Sequence, residues 1–497
     1  MKHRIILLAI AALAAFEAAA ARPRLVVNIV VGSMRAEDLG RYADNYGEGG
    51  LRRLLDGGTV FADSRYDYQQ TTTPVSLATL TTGAMPSTHG VIGARWRDYV
   101  ENDAVELIAG RKGPGPYNLI APTLAEALLQ HEPGAKAVSV ATEAMSAVIM
   151  AGHGGEAFWL DSARCGWETS PYYAPEVPEW VARSNRERYN LSYIAPEWRT
   201  LYEKGRYLNT RNWDIVLTGK SRKDKDEPGE GRLKLTSDYD KMLYTPAGNT
   251  AVLGFAKQAI AQFKLGDDAT PDLLNICLDT PRRISEAYGP ESVEVEDMYY
   301  RLDRDLADFL TFVFAQVRNG EVLVVFTSDH GEMLGSQGLL AKNVIYPESF
   351  EIPFIVSYPG HLKHRVEDLR IAPIDVMPTV LGLMGLGKEI PKTVEGVNYA
   401  PALLSGDFSN TPKPKASLFL TDRKKGIRTD RYTYQVDNQG GTLIFDNRKD
   451  PYCTNNLAPE SVPAADLTEL KNELGAMLKL ADDPWVKKKV QPSLITY

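Results

Sequence analysis

Cysteine is scarce in this chain: only Cys165, Cys277 and Cys453 occur among 497 residues, and none belongs to a CxxC pair. That odd, widely spaced set supplies no disulfide framework, and Cys277, inside an apolar run, reads as a small core residue. A stripe of one charge sign is also missing. The formal net charge is −8 with acidic and basic residues interleaved, so no nucleic-acid partner is expected. There is no internal repeat. The N-terminal apolar run, Ile5 to Phe16, has 12 residues, short of the ~20 that a membrane span needs.

What is there first is an export pattern. Met1-Lys-His-Arg, the apolar run, and the small residues Ala18 to Ala21 read as a signal peptide over 1–21, cleaved near Ala20 or Ala21. This predicts a periplasmic or secreted protein with no transmembrane anchor after cleavage. No Cys follows the small residues, which argues against a lipidated N-terminus. The remainder is 44% hydrophobic and 24% charged over the whole chain, an ordinary globular composition with material for a large core.

Short apolar runs bounded by turn formers read as buried parallel strands: Leu25 to Val31, Ala137 to Ala141, Leu273 to Leu278, Val322 to Phe326 and Phe354 to Val356, with a further short strand near Thr59 to Ala62. Helical patterns lie between them at Gly49 to Leu55, Pro122 to Gln130, Asn249 to Phe263 and Val293 to Val317. The alternation predicts an α/β fold with a mainly parallel central sheet flanked by helices. Ligands then collect where strands exit, at Gly32-Ser33, Thr142-Glu143, Asp279 to Arg283 and Asp329-His330. The expected organisation is a core over 22–158, an inserted cap over 159–244, the second part of the core over 245–400, and a C-terminal subdomain over 401–497 with a small antiparallel sheet and a helix at Ala464 to Lys479. The cap run GKSRKDKDEPGEGRLK reads as a solvated loop. Cap aromatics Trp159, Trp167, Tyr172 and Tyr173 either line a groove for a glycan or peptide or form the cap's own core.

Two motifs carry chemistry. TTTPVSLATLTTG at 71–83 puts a Thr at a strand-to-helix turn, where a hydroxyl meets the anion-favouring end of a helix; the plainer reading is a Thr-Pro N-cap. FTSDHGEMLGSQG at 326–338 puts Asp329 and His330 at a strand exit, a hard oxygen beside an imidazole nitrogen, which suits a divalent ion. His153, in a Gly-rich loop, reads as a loop histidine.

With those motifs in hand, residues 25–96, TPAGNTAVLGFAKQAI at 245–260 and TPRRISEAYGPESVEVEDMYYRLDRDLADFL at 280–310 resemble phosphate-irrepressible alkaline phosphatases and, more loosely, nucleotide pyrophosphatase/phosphodiesterases. From TSDHGEMLGSQGLLAKNVIYPESFEIPFIVSYPG onward, through GIRTDRYTY and DNRKDPYCTNNLA, the chain resembles a sulfatase. The resemblance implies the alkaline phosphatase fold and two metal ions ~4 Å apart flanking a nucleophile. It places the nucleophile at Thr73, and a Thr there, rather than a Cys, argues against sulfatase chemistry. Of the implied metal ligands only Asp329 and His330 stand. Gly32 takes the place of an Asp, and Arg282, Glu286 and Glu351 take the remaining ligand positions. Ala94 replaces an Asn, Leu77 stands where a sulfatase carries Arg, and Glu143 and Met145 replace a Lys and an Arg. Lys342 falls where a sulfatase Lys contacts its anion.

These replacements lead to the expectation that Arg282, Glu286 and Glu351 converge, a guanidinium held by two carboxylates in place of an ion. They favour a degenerate, non-catalytic member with a binding or structural role and no cofactor; the alternative is a hydrolase of phosphate or sulfate esters with Thr73 as nucleophile and one divalent ion, zinc or calcium. A small anionic ester, a glycan or a protein are the partners this leaves open.

Overall fold

The computed structural model describes residues 22–98, 100–209, 235, 237–317, 320–340 and 342–488. The expected signal peptide and the charged run of the cap lie outside the described residues.

Strands buried on both faces are the scaffold. In chain order they are β1 (Leu25–Val31), β2 (Thr59–Ser64), β3 (Arg95–Asp98), β4 (Asp103–Glu106), β5 (Ala137–Ala141), β6 (Glu156–Leu160), β7 (Trp167–Glu168), β8 (Asp272–Leu278), β9 (Val322–Ser328), β10 (Phe354–Ser357), β11 (Arg365–Ile371), β12 (Ala416–Leu420), β13 (Lys424–Thr429), β14 (Tyr432–Asp437) and β15 (Thr442–Asp446). Nine form one sheet in the order β11-β2-β10-β9-β1-β8-β5-β6-β7. Pairings around β1 are parallel, as the continuous apolar runs predict. The 354 strand departs from expectation: β10 runs antiparallel to both β9 and β2, because a three-residue apolar run carries no information on direction.

Alternate residues of β1 feed two cores. Val27, Ile29 and Val31 pack with helices Ala247–Phe263 and Val293–Gln316, while Val26 and Val30 pack with helices Thr73–Thr82 and Ala144–Ala151 on the other face. Between β1, β8 and β5 the apolar sheet carries a polar line. Asn28 Nδ2 donates to Asn275 Oδ1 at 3.0 Å, and Asn275 Nδ2 donates to Ser139 Oγ at 3.2 Å and to the Met150 carbonyl at 3.0 Å. Buried polar groups of this kind penalise a slipped register. Val31 lies opposite Leu278 and Ser328, and Ala141 opposite Cys277, so four strands end at one level and present their next residues at one edge.

The cap packs its aromatics inward. Trp159 and Trp167 are buried, with Trp167 stacked on Phe255 at 4.0 Å, and Tyr173 donates its hydroxyl to the Val148 and Gly152 carbonyls. The two tryptophans are core, while Tyr172 and Tyr173 are half-buried. The segment 198–209 is strapped onto helix Val293–Gln316 through Asp297, which accepts from Trp198 Nε1 at 2.6 Å, from the Leu201 N–H, from the Tyr207 hydroxyl and from Arg301 Nε at 2.7 Å. The C-terminal sheet, β12-β13-β14-β15, is antiparallel as expected. Helix Ala464–Leu480 covers it with Leu470, Leu474 and Leu478, one stripe at a spacing of four. Cys165, Cys277 and Cys453 are buried free thiols. Among the described residues no helix is long and apolar enough to cross a membrane.

Candidate active site

At the aligned strand edge, β9 delivers Asp329 and His330, both fully buried. Opposite them Thr73 opens helix Thr73–Thr82, after an extended Thr72 and before Pro74, whose missing N–H costs nothing in a first turn. Thr73 Oγ1 lies 3.1 Å from His330 Nε2, and Asp329 Oδ2 lies 3.2 Å from the same nitrogen. Asp329 Oδ1 accepts from the Ser33 and His330 backbone N–H groups at 2.8 and 2.9 Å, which fixes the carboxylate plane. Ser33 achieves this at φ 57, in the left-handed region that a non-glycine residue enters at a cost.

The proton on His330 is set by its surroundings. Nδ1 sits 2.6 Å from the Gly331 carbonyl and must donate to it. Burial, reinforced by the Lys342 and Arg282 cations, drives the imidazole pKa down to about 3 against the pull of Asp329, so the ring is neutral. Nε2 then presents a lone pair. Burial works against the Asp329 carboxylate, but the Ser33 N–H and the Thr73 hydroxyl hold its pKa below the usual value. An ionised oxygen thus faces a nitrogen lone pair with a single hydroxyl proton near both, and Oδ2 is buried without a hydrogen-bond partner. Ligand atoms around a tetrahedral zinc with ~2.0–2.1 Å bonds stand about 3.3 Å apart, close to the separations of 3.1 and 3.2 Å here. Asp329 Oδ2 and His330 Nε2 are thus spaced as two ligands of such an ion would be, with Thr73 Oγ1 3.1 Å from the nitrogen.

The neighbouring positions are taken by an ion-paired cluster. Among the described residues no group of three or more His, Cys, Asp or Glu side chains is placed to hold a metal. Arg282, 8% exposed, extends from helix Thr280–Tyr288 and holds Glu143 at 2.7 Å and Glu286 at 3.4 Å. Arg283 joins Glu143 at 2.8 Å. Gly32 lets this helix approach: a Cβ there would meet Arg282 Cβ at 3.1 Å and the Leu278 carbonyl at 3.2 Å. Behind Glu143, Asp279 accepts from Thr142 Oγ1, Ser146 Oγ and the Glu143 N–H at 2.8, 2.6 and 3.1 Å. Burial and the Glu143 charge raise its pKa to about 6 despite Arg282.

The expected convergence of Arg282, Glu286 and Glu351 is corrected in one member. Glu351 turns to the C-terminal sheet, where its Oε1 pairs with Arg428 Nη2 at 2.9 Å, and its backbone bridges to Arg65. Glu143 takes the place expected for it beside Arg282. Lys342 is not a free anion contact: its Nζ pairs with Glu332 Oε2 at 2.7 Å, a carboxylate that burial pushes to a raised pKa. Leu77 is core, Ala94 is exposed, and Met145 is half-buried. His153 pairs with Glu126 at 3.2 Å, away from the site, and that contact raises its pKa. Reading the sequence missed Ser33, Asp279 and Arg428. The strand-exit rule pointed at the first two, whereas nothing local marks Arg428.

The chain is similar to several known proteins. Residues 26–351 match the model for "Type I phosphodiesterase / nucleotide pyrophosphatase", and residues 335–479 match that for "N-sulphoglucosamine sulphohydrolase, C-terminal". A protein of Myroides odoratus named calcium-transporting ATPase is 32% identical, the match covering 79% of this chain and 77% of that protein. The alkaline phosphatase PafA of Elizabethkingia meningoseptica is 34% identical over 62% of this chain, which spans 60% of that relative's length. The crystal structure of wild-type PafA superposes with a TM-score of 0.68 at 23% identity, covering 77% of this chain and 99% of the other, a likeness of fold.

Proposed function

Since the chain belongs to the type I phosphodiesterase / nucleotide pyrophosphatase family, with a sulfatase-type C-terminal part, we propose that it hydrolyses esters of phosphate or sulfate with Thr73 as nucleophile at a single-ion centre. One observation carries the reading: Thr73 Oγ1 and the partnerless Asp329 Oδ2 lie 3.1 and 3.2 Å from the same nitrogen, His330 Nε2. Relatives named as phosphatases and sulfatases support the hydrolase alternative over the non-catalytic one.

Asp329 and His330 would hold the ion, which when bound supplies Lewis-acid charge and eases deprotonation of a nearby hydroxyl. The rest falls to the chain. Helix Thr73–Thr82 aims its N-terminus at the site, where a tetrahedral anion is favoured. The Thr73 hydroxyl gives its proton to solvent and Oγ1 attacks phosphorus or sulfur as the bond to the ester oxygen breaks, that oxygen leaving as the alcohol with a proton from water; attack by a water on phosphorus or sulfur then breaks the bond to Oγ1, releasing phosphate or sulfate and restoring the Thr73 hydroxyl. Ser33 and Gly331 act through backbone hydrogen bonds, holding Asp329 and the His330 tautomer in place. The N-terminal pattern of the sequence supports export to the periplasm or beyond as the place of action.

The test is turnover of aryl phosphate, aryl phosphodiester and aryl sulfate by zinc- or calcium-loaded protein. Saturable hydrolysis of one of them, falling at least ~10³-fold in Thr73→Ala while the variant stays folded, is the expected result. No turnover of any of the three overturns it. That outcome would favour the second reading, a binding protein, which has an observation of its own: Glu143 and Glu286 are already neutralised by Arg282 and Arg283.

A further inference from the structure

Where the main sheet meets the C-terminal sheet, two rows of side chains face each other. Asp63 in β2 and Arg65, just past its end, alternate onto one face. Arg370 of β11 is the register partner of Asp63, and Glu351 bridges to Arg65, so both stand on that face. In the C-terminal sheet Ser417, Arg428 and Thr433 are partners across β12, β13 and β14 and share a face likewise. The rows meet where Arg370 Nη1 donates to Ser417 Oγ at 3.2 Å and Arg428 Nη2 donates to Glu351 Oε1 at 2.9 Å. Arg65, with β11 on one side and Glu351 on the other, lies between these two contacts.

Three guanidiniums are thus gathered between the layers, with their carboxylates at the rim. The side chains of Arg65, Arg370 and Arg428 are 4–6% exposed, those of Asp63, Asp67 and Glu351 21–30%. Solvent screens the rim charges more than the buried ones. Two of the pairings are also long: Arg65 Nη1 to Asp63 at 3.3 Å and Arg370 Nη2 to Asp67 at 3.8 Å. Among the described residues Arg65 Nε and Nη2, Arg370 Nε and Arg428 Nε are buried with no hydrogen-bond partner. Buried charged donors without an acceptor are costly, and native proteins meet them with an ion or an ordered water. Burial lowers the Arg65 pKa, and against the pull of Asp63 the Arg428 and Arg370 charges add to that, so a negative partner suits the place better than a neutral one.

The free donors have a shape. Nε and Nη2 form one edge of the planar guanidinium, two parallel N–H groups on a fixed fork. Arg370 and Arg428 add one Nε each. So few donors suit a monoatomic anion, which needs only N–H groups converging on a point, better than a tetrahedral oxyanion with four oxygens to satisfy. We infer that a halide, chloride in ordinary media, binds side-on to Arg65 Nε and Nη2 with Arg370 and Arg428 beside it, and ties the C-terminal sheet to the main one. This site is independent of the hydrolase reading.

The experiment is a bromide soak of crystals of the full chain, read by anomalous scattering, with thermal melting in sodium chloride against sodium gluconate at matched ionic strength as a second readout. An anomalous peak within hydrogen-bond reach of Arg65 Nε and Nη2 is expected. The melting temperature should climb with chloride concentration, by about 2–3 °C once chloride reaches ~100 times its dissociation constant. Arg65→Met is expected to melt alike in both salts, and Arg65→Lys, which keeps a charge without the edge, to lose most of the rise. A peak absent from this edge, or wild type melting alike in the two salts, overturns the inference. A rise given by sodium sulfate but not by chloride, and lost in Arg65→Met, overturns the halide in favour of an oxyanion. Should Arg65→Met fail to fold, the bromide peak and the wild-type melts decide alone.

Discussion

Replacing Asp297 by Ala should release the 198–209 strap. The carboxylate is fully buried and accepts four hydrogen bonds: from the indole of Trp198, the Leu201 N–H, the Tyr207 hydroxyl and the Arg301 guanidinium. Each such bond to a charged acceptor contributes about 1.5–3 kcal/mol, and a buried donor left alone costs about 1–3 kcal/mol. Arg301 is 32% exposed at its side chain and recovers water, so its share is discounted. The Leu201 N–H and the Tyr207 hydroxyl also regain solvent once the strap opens. Crediting mainly the Trp198 bond and part of the others gives a loss of roughly 3–5 kcal/mol. At about 2.1 cal/mol/K per residue, a chain of this length unfolds with an entropy of about 1 kcal/mol/K, so the melting temperature should fall by roughly 3–5 °C. Hydrogen exchange gives the sharper readout. Amides of 198–209 should lose protection while those of β1 and β8 keep theirs, because the strap is one local unit. A drop below ~1 °C with unchanged exchange in the strap would refute the reasoning.

Two further outcomes follow from single atoms. Gly32→Ala and Gly32→Asp should both lose about 1–3 kcal/mol in denaturant melts, because the Cβ they share meets Arg282 Cβ at 3.1 Å and the Leu278 carbonyl at 3.2 Å; a neutral Gly32→Ala would show that helix Thr280–Tyr288 is not held by this close approach. His89 is buried, with Nε2 3.1 Å from Thr79 Oγ1, and burial lowers its pKa to about 4. The folded value lies below the unfolded one, so the unfolded chain takes the proton first, and stability is full above pH ~6.5 and lost as pH falls towards 4. The loss over that window is about 3 kcal/mol, and His89→Gln should flatten the dependence of the urea midpoint on pH there; an equal slope in both proteins would place the effect elsewhere.

The strands were legible in the sequence because a strand buried on both faces must be apolar throughout, as Leu25–Val31 is. Asp329 and His330 could be placed at the strand edge because polar residues immediately after such a run have one place to go, whereas Thr73, which opens a helix well after β2, was singled out by its turn motif and the resemblance alone. The direction of β10 and the burial of Trp159 and Trp167 were not, since both depend on neighbours far away in sequence. Glu351 shows the physics of such a miss most plainly. It lies 77 residues from Arg428, which reaches it from the C-terminal sheet. Arg428 is 5% exposed, and its nearby partners Thr433 and Asn447 are neutral, so without Glu351 its charge would be buried unpaired. Breaking a buried pair by removing one partner costs about 3–5 kcal/mol, more than a surface-facing contact with Glu286 and Arg282 could return. The demand of Arg428 therefore draws Glu351 away from the strand edge. What remains at the strand edge is Arg282 between Glu143 and Glu286, with Glu143 in the place expected for Glu351.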